Sequence, residues 1–300
     1  MTKLDEIARM AARTRAVVVH YGDPELTIRA VSSIRAGSVA PGLIVVVDNS
    51  PVPFPDPPHH SVPAMVVRPG QNTGFAGGVT IGLEHAPQFP WEFAWLLNND
   101  AYAEEDAFRG LLEAMARADG RALISSLIRD EATGDVWFEQ TRFLPWRMES
   151  RGRKLASPLG ADLTETRRPS WRSMPYISGT SLLVPSAALT AIGGFDRSFF
   201  MYSEDVDLST RSLRAGFSLV VAPRSVVIHR TSSGTHVRRR ERMVSETSFR
   251  LTAKHYPWLL PPGIVLAFAT ALKRSITRRQ AWWMTERFRG YRDALKSRPR

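Results

Sequence analysis

Val17-Val18-Val19-His20-Tyr21, and then Leu43-Ile44-Val45-Val46-Val47-Asp48-Asn49-Ser50, decide the fold class. Each is a continuous apolar run rather than an alternating one, the pattern of a strand buried on both faces. Between them a Gly22-Asp23-Pro24 turn precedes Glu25 to Ala36, where Leu26, Ala30, Val31 and Ile34 recur at helical spacing. Strand, helix, strand with unbroken apolar strands predicts an α/β domain whose mainly parallel sheet is flanked by helices.

The pattern continues downstream. Pro51 to Pro63 reads as a proline-rich surface loop, Ala64 to Val67 as a short strand, and Gly70 to Gly78 as a glycine-rich turn into a helix. Phe93 to Leu97 predicts a strand that stops at Asn98-Asn99-Asp100, and Glu104 to Ala118 an amphipathic helix. Polar residues thus recur at strand C-termini, the ligand edge of open α/β sheets. Asp130 to Pro175 reads as an excursion over the sheet. Tyr176 to Pro185 predicts one strand, Ser186 to Ile192 a short helix, and Asp205 to Ala215 a longer one. Ser218 to Pro223 and Ser225 to His229 close the core as extended segments.

Three hundred residues at 43% hydrophobic content can bury a sizeable core. Without cysteine, disulfides and thiolate metal sites are excluded, so any metal takes oxygen or imidazole ligands. Met1 to Arg15 lacks the apolar run of a secretory signal, and a cytoplasmic location is expected. The net charge of +11 calls for a polyanionic partner. Trp258 to Leu272 is apolar, reads as too short to span a bilayer, and is followed by Lys273-Arg274, Arg278-Arg279, Trp282-Trp283, Arg287, Arg289 and Arg292. Basic residues interleaved with aromatics predict a helical appendage lying peripherally on an anionic membrane surface, at the cytoplasmic face. The expected division is a core over 14–235 and this region over 236–300. Arg238-Arg239-Arg240 is a phosphate patch on which a non-catalytic nucleic-acid- or membrane-binding protein could be built, but no nucleic-acid module is present and no nucleic-acid partner is expected.

Several polar residues stand where chemistry would be done, each with a plainer reading beside it. Asp48 ends a strand, where it suits a base or ribose hydroxyl and equally a turn. Gly70 to Gly78 either brings backbone close to a phosphate or forms a tight turn; its glycine spacing is neither the dinucleotide fingerprint nor a P-loop. Asn98-Asn99-Asp100 supplies hard oxygen ligands for a cation or a helix cap. Glu204-Asp205-Val206-Asp207 supplies a general base or complements a helix dipole. His229, closing Val226-Val227-Ile228, completes an oxygen-rich metal site or is structural.

In order, these segments resemble family 2 of the glycosyltransferases, most of all its bacterial rhamnosyltransferase-type branch. The most specific stretch is Ile177 to Val184, followed by Gly193-Gly194-Phe195-Asp196 and Phe199-Phe200-Met201-Tyr202-Ser203-Glu204-Asp205-Val206-Asp207-Leu208. The resemblance covers Ala16 to Gly234 and implies the GT-A fold of nucleotide-diphospho-sugar transferases. It implies nucleotide-sugar contacts at His20, Tyr21, Asp48, Asn72, Gly74, Asn98, Asn99 and Asp100. Asp205 would be the catalytic base with Glu204 orienting it, and Gly179 and Thr180 would line the acceptor side. Asp100 and His229 would hold Mg²⁺ or Mn²⁺, and the reaction would invert the anomeric centre. The implied donor is dTDP-rhamnose, with a UDP-sugar such as UDP-galactofuranose as the alternative, and the implied acceptor a saccharide, lipid-linked, in cell-wall or surface polysaccharide assembly. The sequence departs from the family at Asn98, where its DXD element has a carboxylate, at Val79-Thr80, where relatives often carry paired asparagines, and at Gly22, where an Asn is frequent.

Overall fold

The computed structural model describes residues 2–55, 64–138, 140–153, 162–230 and 237–296. Part of the expected proline-rich loop (56–63) and the stretch 231–236, which holds the expected division at 235/236, lie outside the described residues.

The chain opens with α1 (Lys3–Ala12), whose first turn is closed by reciprocal hydrogen bonds between Thr2 and Asp5. Then come β1 (Thr14–His20), α2 (Pro24–Ala36), β2 (Leu43–Asp48), β3 (Ala64–Val67), α3 (Gly74–Glu84) and β4 (Phe93–Asn98). A short β5 (Ala101–Ala103) leads to α4 (Ala107–Arg117), β6 (Ala122–Asp130) and β7 (Val136–Phe138). The excursion contains β8 (Gln140–Leu144), β9 (Glu149–Arg153), β10 (Leu163–Glu165) and β11 (Met174–Tyr176). The chain then returns through β12 (Ser181–Pro185), α5 (Ser186–Ile192), α6 (Glu204–Arg214) and β13 (Ser218–His229), and finishes with α7 (Val237–His255), α8 (Leu260–Thr277) and α9 (Trp282–Lys296).

The main sheet runs β10-β13-β6-β12-β4-β1-β2-β3, with β5 and β7 attached to β13 and β6. Strands β3, β2, β1 and β4 are mutually parallel, as are β6 and β13, while β12 lies antiparallel between the two groups. Burial on both faces explains the unbroken apolar strands. Ala16, Val18, Ile44, Val46, Trp95 and Leu97 enter one core layer, and Val17, Val45, Val47, Ala94 and Leu96 the other. On the second layer α3 packs closer than a side chain would allow: a Cβ at Gly82 would sit 2.7 Å from Val17 Cγ1.

Tyr176 to Pro185 is not one strand. Tyr176 belongs to a separate sheet, β11-β8-β9, and the chain turns at Ser178 before entering β12. The turn is made locally, because Ser178 Oγ accepts from the Thr180 N–H at 3.1 Å and donates to Thr180 Oγ1 at 3.0 Å. The two closing segments are one strand, β13, with an irregularity between Ala222 and Val226.

The apolar C-terminal run is longer than read from sequence. The helical stretch Pro257–Thr277 has 21 residues, long and apolar enough by length and composition to cross a membrane, because the helix continues past Leu272 through Lys273 and Arg274. Gly263, Ala267 and Ala271, at four-residue spacing, form its buried side. A third core joins Phe143, Met174 and Tyr176 of the small sheet, Val206 of α6, and Phe249, Leu251, Ala267 and Tyr291 of the last three helices.

Candidate active site

Four strand ends gather the polar residues. β1 and β2 finish side by side, with His20 in register with Asp48. Asp48 is buried; its Oδ2 accepts the Phe54 N–H at 2.7 Å and its Oδ1 the Ser50 N–H at 3.0 Å, so it also shapes the following turn. His20 is internal: its Nδ1 lies 2.7 Å from Thr27 Oγ1 and its ring packs against Phe54. Burial pulls its pKa down despite the opposing fields of Asp48 and Asp23. Tyr21 is exposed, and its carbonyl accepts from Asn99 Nδ2 at 3.2 Å.

The glycine turn reaches this edge from the side. Asn72, itself exposed, accepts the Gly74 N–H at 2.9 Å, so its carboxamide oxygen is engaged in its own turn. Gly74 has φ +73°, and a Cβ there would meet the Phe200 carbonyl oxygen at 2.2 Å. That carbonyl accepts the Phe75 N–H at 2.8 Å, clamping the turn to the segment before α6.

β4 hands over directly to the third group. The Asn98 N–H donates to the Thr180 carbonyl at 2.9 Å, which places Asn98 beside Thr180 and Gly179. Because β5 pairs antiparallel with the end of β13, His229 stands opposite Ala101 and next to Asp100. His229 Nε2 is 3.3 Å from Asp100 Oδ1, and the half-exposed Trp137 packs over the His229 ring with centroids 4.8 Å apart. Nδ1 of His229 is buried with no hydrogen-bond partner among the described residues.

The acidic group sits at the start of α6 in a strained entry. Tyr202 and Ser203 have φ of +72° and +66°, a conformation that disfavours side chains other than glycine, and it swings Glu204 and Asp205 toward the sheet edge. Asp205 Oδ1 accepts the Val206 N–H at 2.8 Å and Oδ2 the Gly179 N–H at 3.4 Å. Burial raises both carboxyls, Asp205 against its backbone hydrogen bonds and Glu204 further because of the Asp205 charge. Oε2 of Glu204 is buried and unpartnered among the described residues. Tyr202 is raised mainly by burial and feels Glu204 and Asp100 as well as Arg239 and Arg240 from the first turn of α7.

Two buried polar residues were quoted from the sequence only as members of a cluster, with no role of their own. Asn49 is buried and bonded to the glycine turn through both side-chain ends. Asp207, fully buried, binds Arg211 Nε at 2.7 Å, His255 Nε2 at 2.9 Å and Lys254 Nζ at 2.7 Å. Burial alone would raise Asp207; the His255 hydrogen bond with the Arg211 and Lys254 charges outweighs it and holds the carboxyl at about 2. Polar residues in helical register with a buried face, as Asp207 and Arg211 are, were the available signal.

The sequence pattern of glycosyl transferase family group 2 matches residues 95–285, more than half of the chain. Among curated relatives, the N-acetylglucosaminyl-diphospho-decaprenol L-rhamnosyltransferase of Mycobacterium tuberculosis is 27% identical over 236 residues, covering 73% of this chain and 76% of its own length. Galactofuranosyltransferase GlfT1 of the same organism is 26% identical over 211 residues, covering 67% of this chain and 64% of that protein. Among solved structures, the mannosyltransferase PcManGT from Pyrobaculum calidifontis, in complex with GDP-Man and Mn²⁺, has a TM-score of 0.56 at 13% identity over 95% of this chain and 87% of its own. GalNAc-T7 with UDP, GalNAc and Mn²⁺ has a TM-score of 0.53 at 15% identity, over 77% of this chain and 47% of that one. These likenesses establish the GT-A fold, and the chain belongs to glycosyl transferase family group 2.

Proposed function

We propose that this chain is an inverting transferase that moves L-rhamnose from dTDP-rhamnose onto a hydroxyl of a lipid-linked saccharide in cell-wall or surface polysaccharide assembly. The observation that carries this reading is Asp205: a carboxylate with a raised pKa, held by backbone N–H groups at the ligand edge, facing the bare backbone of Gly179. The rhamnosyltransferase relative supports the donor and the lipid-linked acceptor. The GlfT1 relative favours the second donor, UDP-galactofuranose.

In this reading Asp205 takes the proton of the acceptor hydroxyl as that oxygen bonds to the anomeric carbon. The bond from that carbon to the nucleoside diphosphate oxygen breaks on the opposite face, so configuration inverts. A base raised by burial suits proton removal near neutral pH. Glu204, raised further, stays protonated there and leaves Asp205 to ionise.

Asp100 and His229 fit a Mg²⁺ or Mn²⁺ ion. A carboxylate oxygen of Asp100 and Nε2 of His229 converge at 3.3 Å, an oxygen and an imidazole donor of the kind such ions accept. Among the described residues no three His, Asp or Glu side chains form a cluster, so the donor diphosphate would supply further oxygens. Such an ion, when bound, would neutralise charge on the departing diphosphate.

The outer side of the last helices supports docking on an anionic cytoplasmic membrane surface. Val265, Leu272, Ile276 and Phe288 are exposed, and Lys273, Arg278, Arg279, Arg289 and Arg292 are exposed among them. With Gly263, Ala267 and Ala271 packed inward, α8 is suited to lying on a surface rather than spanning one. A donor panel read as nucleoside diphosphate release, with and without Mn²⁺ and a lipid-linked saccharide, tests the reading. Turnover with dTDP-rhamnose supports it, and no release with any nucleotide sugar sinks it.

A further inference from the structure

We infer that Asn49 is a positioning residue that couples the donor side of the site to the catalytic base, an inference that rests on the transferase reading above. Its side chain makes three hydrogen bonds. Nδ2 donates to the Gly74 carbonyl at 2.9 Å, while Oδ1 accepts the Thr73 N–H at 3.3 Å and the Thr73 hydroxyl at 3.0 Å. Its own N–H donates to the His20 carbonyl at 3.0 Å, fixing it to the end of β1 beside Asp48. The strand edge where the nucleotide would sit is thereby tied to residues 73–74 of the glycine turn.

From that turn two routes lead to Asp205. The first is through backbone: the Phe75 N–H binds the Phe200 carbonyl, and Gly74 lies against the same oxygen with no room for a Cβ. Phe200 enters the strained Tyr202-Ser203 step that aims Glu204 and Asp205. The second is through packing: a Cβ built on Gly179 would lie 3.8 Å from Phe75 Cε1 and 3.6 Å from Asp205 Cβ, so the Phe75 ring and the base flank one glycine. A shift of the turn therefore reaches Asp205 along its chain and across Gly179 together. The chemistry needs one donor and one acceptor on a short planar group. Aspartate lacks the N–H for Gly74 and sets a charge against its carbonyl, and alanine leaves both partners unsatisfied.

The test compares wild type, Asn49→Asp, Thr73→Val and Thr73→Ser as full chains. It measures kcat and KM for nucleotide-sugar turnover with Mn²⁺, the Kd for the free nucleoside diphosphate, and the thermal midpoint. Misaligning a base by about an ångström costs on the order of 100-fold in rate. We expect Asn49→Asp to lose kcat by roughly that factor while the nucleoside diphosphate Kd moves less than about 3-fold. Thr73→Val should show a smaller loss that Thr73→Ser restores. Wild-type kcat in Asn49→Asp overturns the inference, as does a kcat loss matched by an equal loss of nucleotide affinity or accompanied by unfolding in both Asn49→Asp and Thr73→Val. If the wild-type chain turns over no nucleotide sugar, the transferase reading fails and this inference falls with it; turnover retained by Asn49→Asp removes this inference alone.

Discussion

The N–H of Gly179 donates to Asp205 Oδ2 at 3.4 Å, and a Cβ added to Gly179 would stand 3.6 Å from that of Asp205. Both contacts follow from the turn at Ser178, which ends the small sheet and starts β12 directly in front of α6. The acceptor-side glycine and the base thus face each other across a gap about one methyl group wide.

Gly179→Ala should therefore fold normally, because the added carbon meets only ordinary contacts, yet occupy the space an acceptor hydroxyl would use. Acceptor KM is expected to rise and kcat to fall, together by about 10-fold or more in kcat/KM, with the donor KM little changed. Steady-state kinetics with both substrates varied check this.

The raised carboxyls fix the sign of the pH dependence. Asp205, pushed up to about 6, must be ionised to act, so kcat should rise with pH through that region rather than near 4. Stability runs the other way. A carboxyl whose folded pKa exceeds its unfolded one stabilises most at low pH and loses that contribution as pH rises through the folded value. Glu204→Gln is accordingly expected to raise the thermal midpoint above wild type at pH 9, by a few degrees, which a scan across pH checks.

Asp207 carries the opposite sign, and its partners come from the last turn of α7 and from the same helix. Held at about 2, it contributes stability above pH 4 that is lost as pH falls toward 2. Asp207→Ala leaves Arg211 without its carboxylate, while Lys254 keeps Asp196 at 2.7 Å, and should cost about 3–5 kcal/mol in denaturant unfolding at pH 7.

Membrane docking is tested without truncation, since the last three helices share a core with the small sheet and α6, and removing them would strip that core. Reversing charge at Lys273, Arg278 and Arg279 should release the chain from anionic vesicles by about 1 kcal/mol per residue, leaving turnover on a soluble acceptor analogue intact. Cosedimentation with vesicles of varied anionic content measures it.

The parallel part of the fold was legible because β1, β2 and β4 are buried on both faces, and burial writes itself as unbroken valine, isoleucine and leucine. The antiparallel β12 was not, since its separation from β11 depends on two side-chain bonds within Ser178-Gly179-Thr180. At the site, Asp100 and His229 stood out as polar strand ends, and the structure brings them to 3.3 Å. Asn49 stood out only as a member of a turn triplet, because its partners lie 24 and 25 residues away. His255 was hidden for the same reason, 48 residues from Asp207 in a region whose charge pointed to membranes.

The most direct test of the account is transfer by Asp205→Asn, measured beside its affinity for the nucleoside diphosphate. The account predicts turnover reduced by at least about 1000-fold with nucleotide affinity close to wild type, since a near-isosteric amide keeps the packing, gives up one of the two backbone N–H bonds and removes the proton acceptor. Turnover comparable to wild type would contradict it and remove Asp205 as the base.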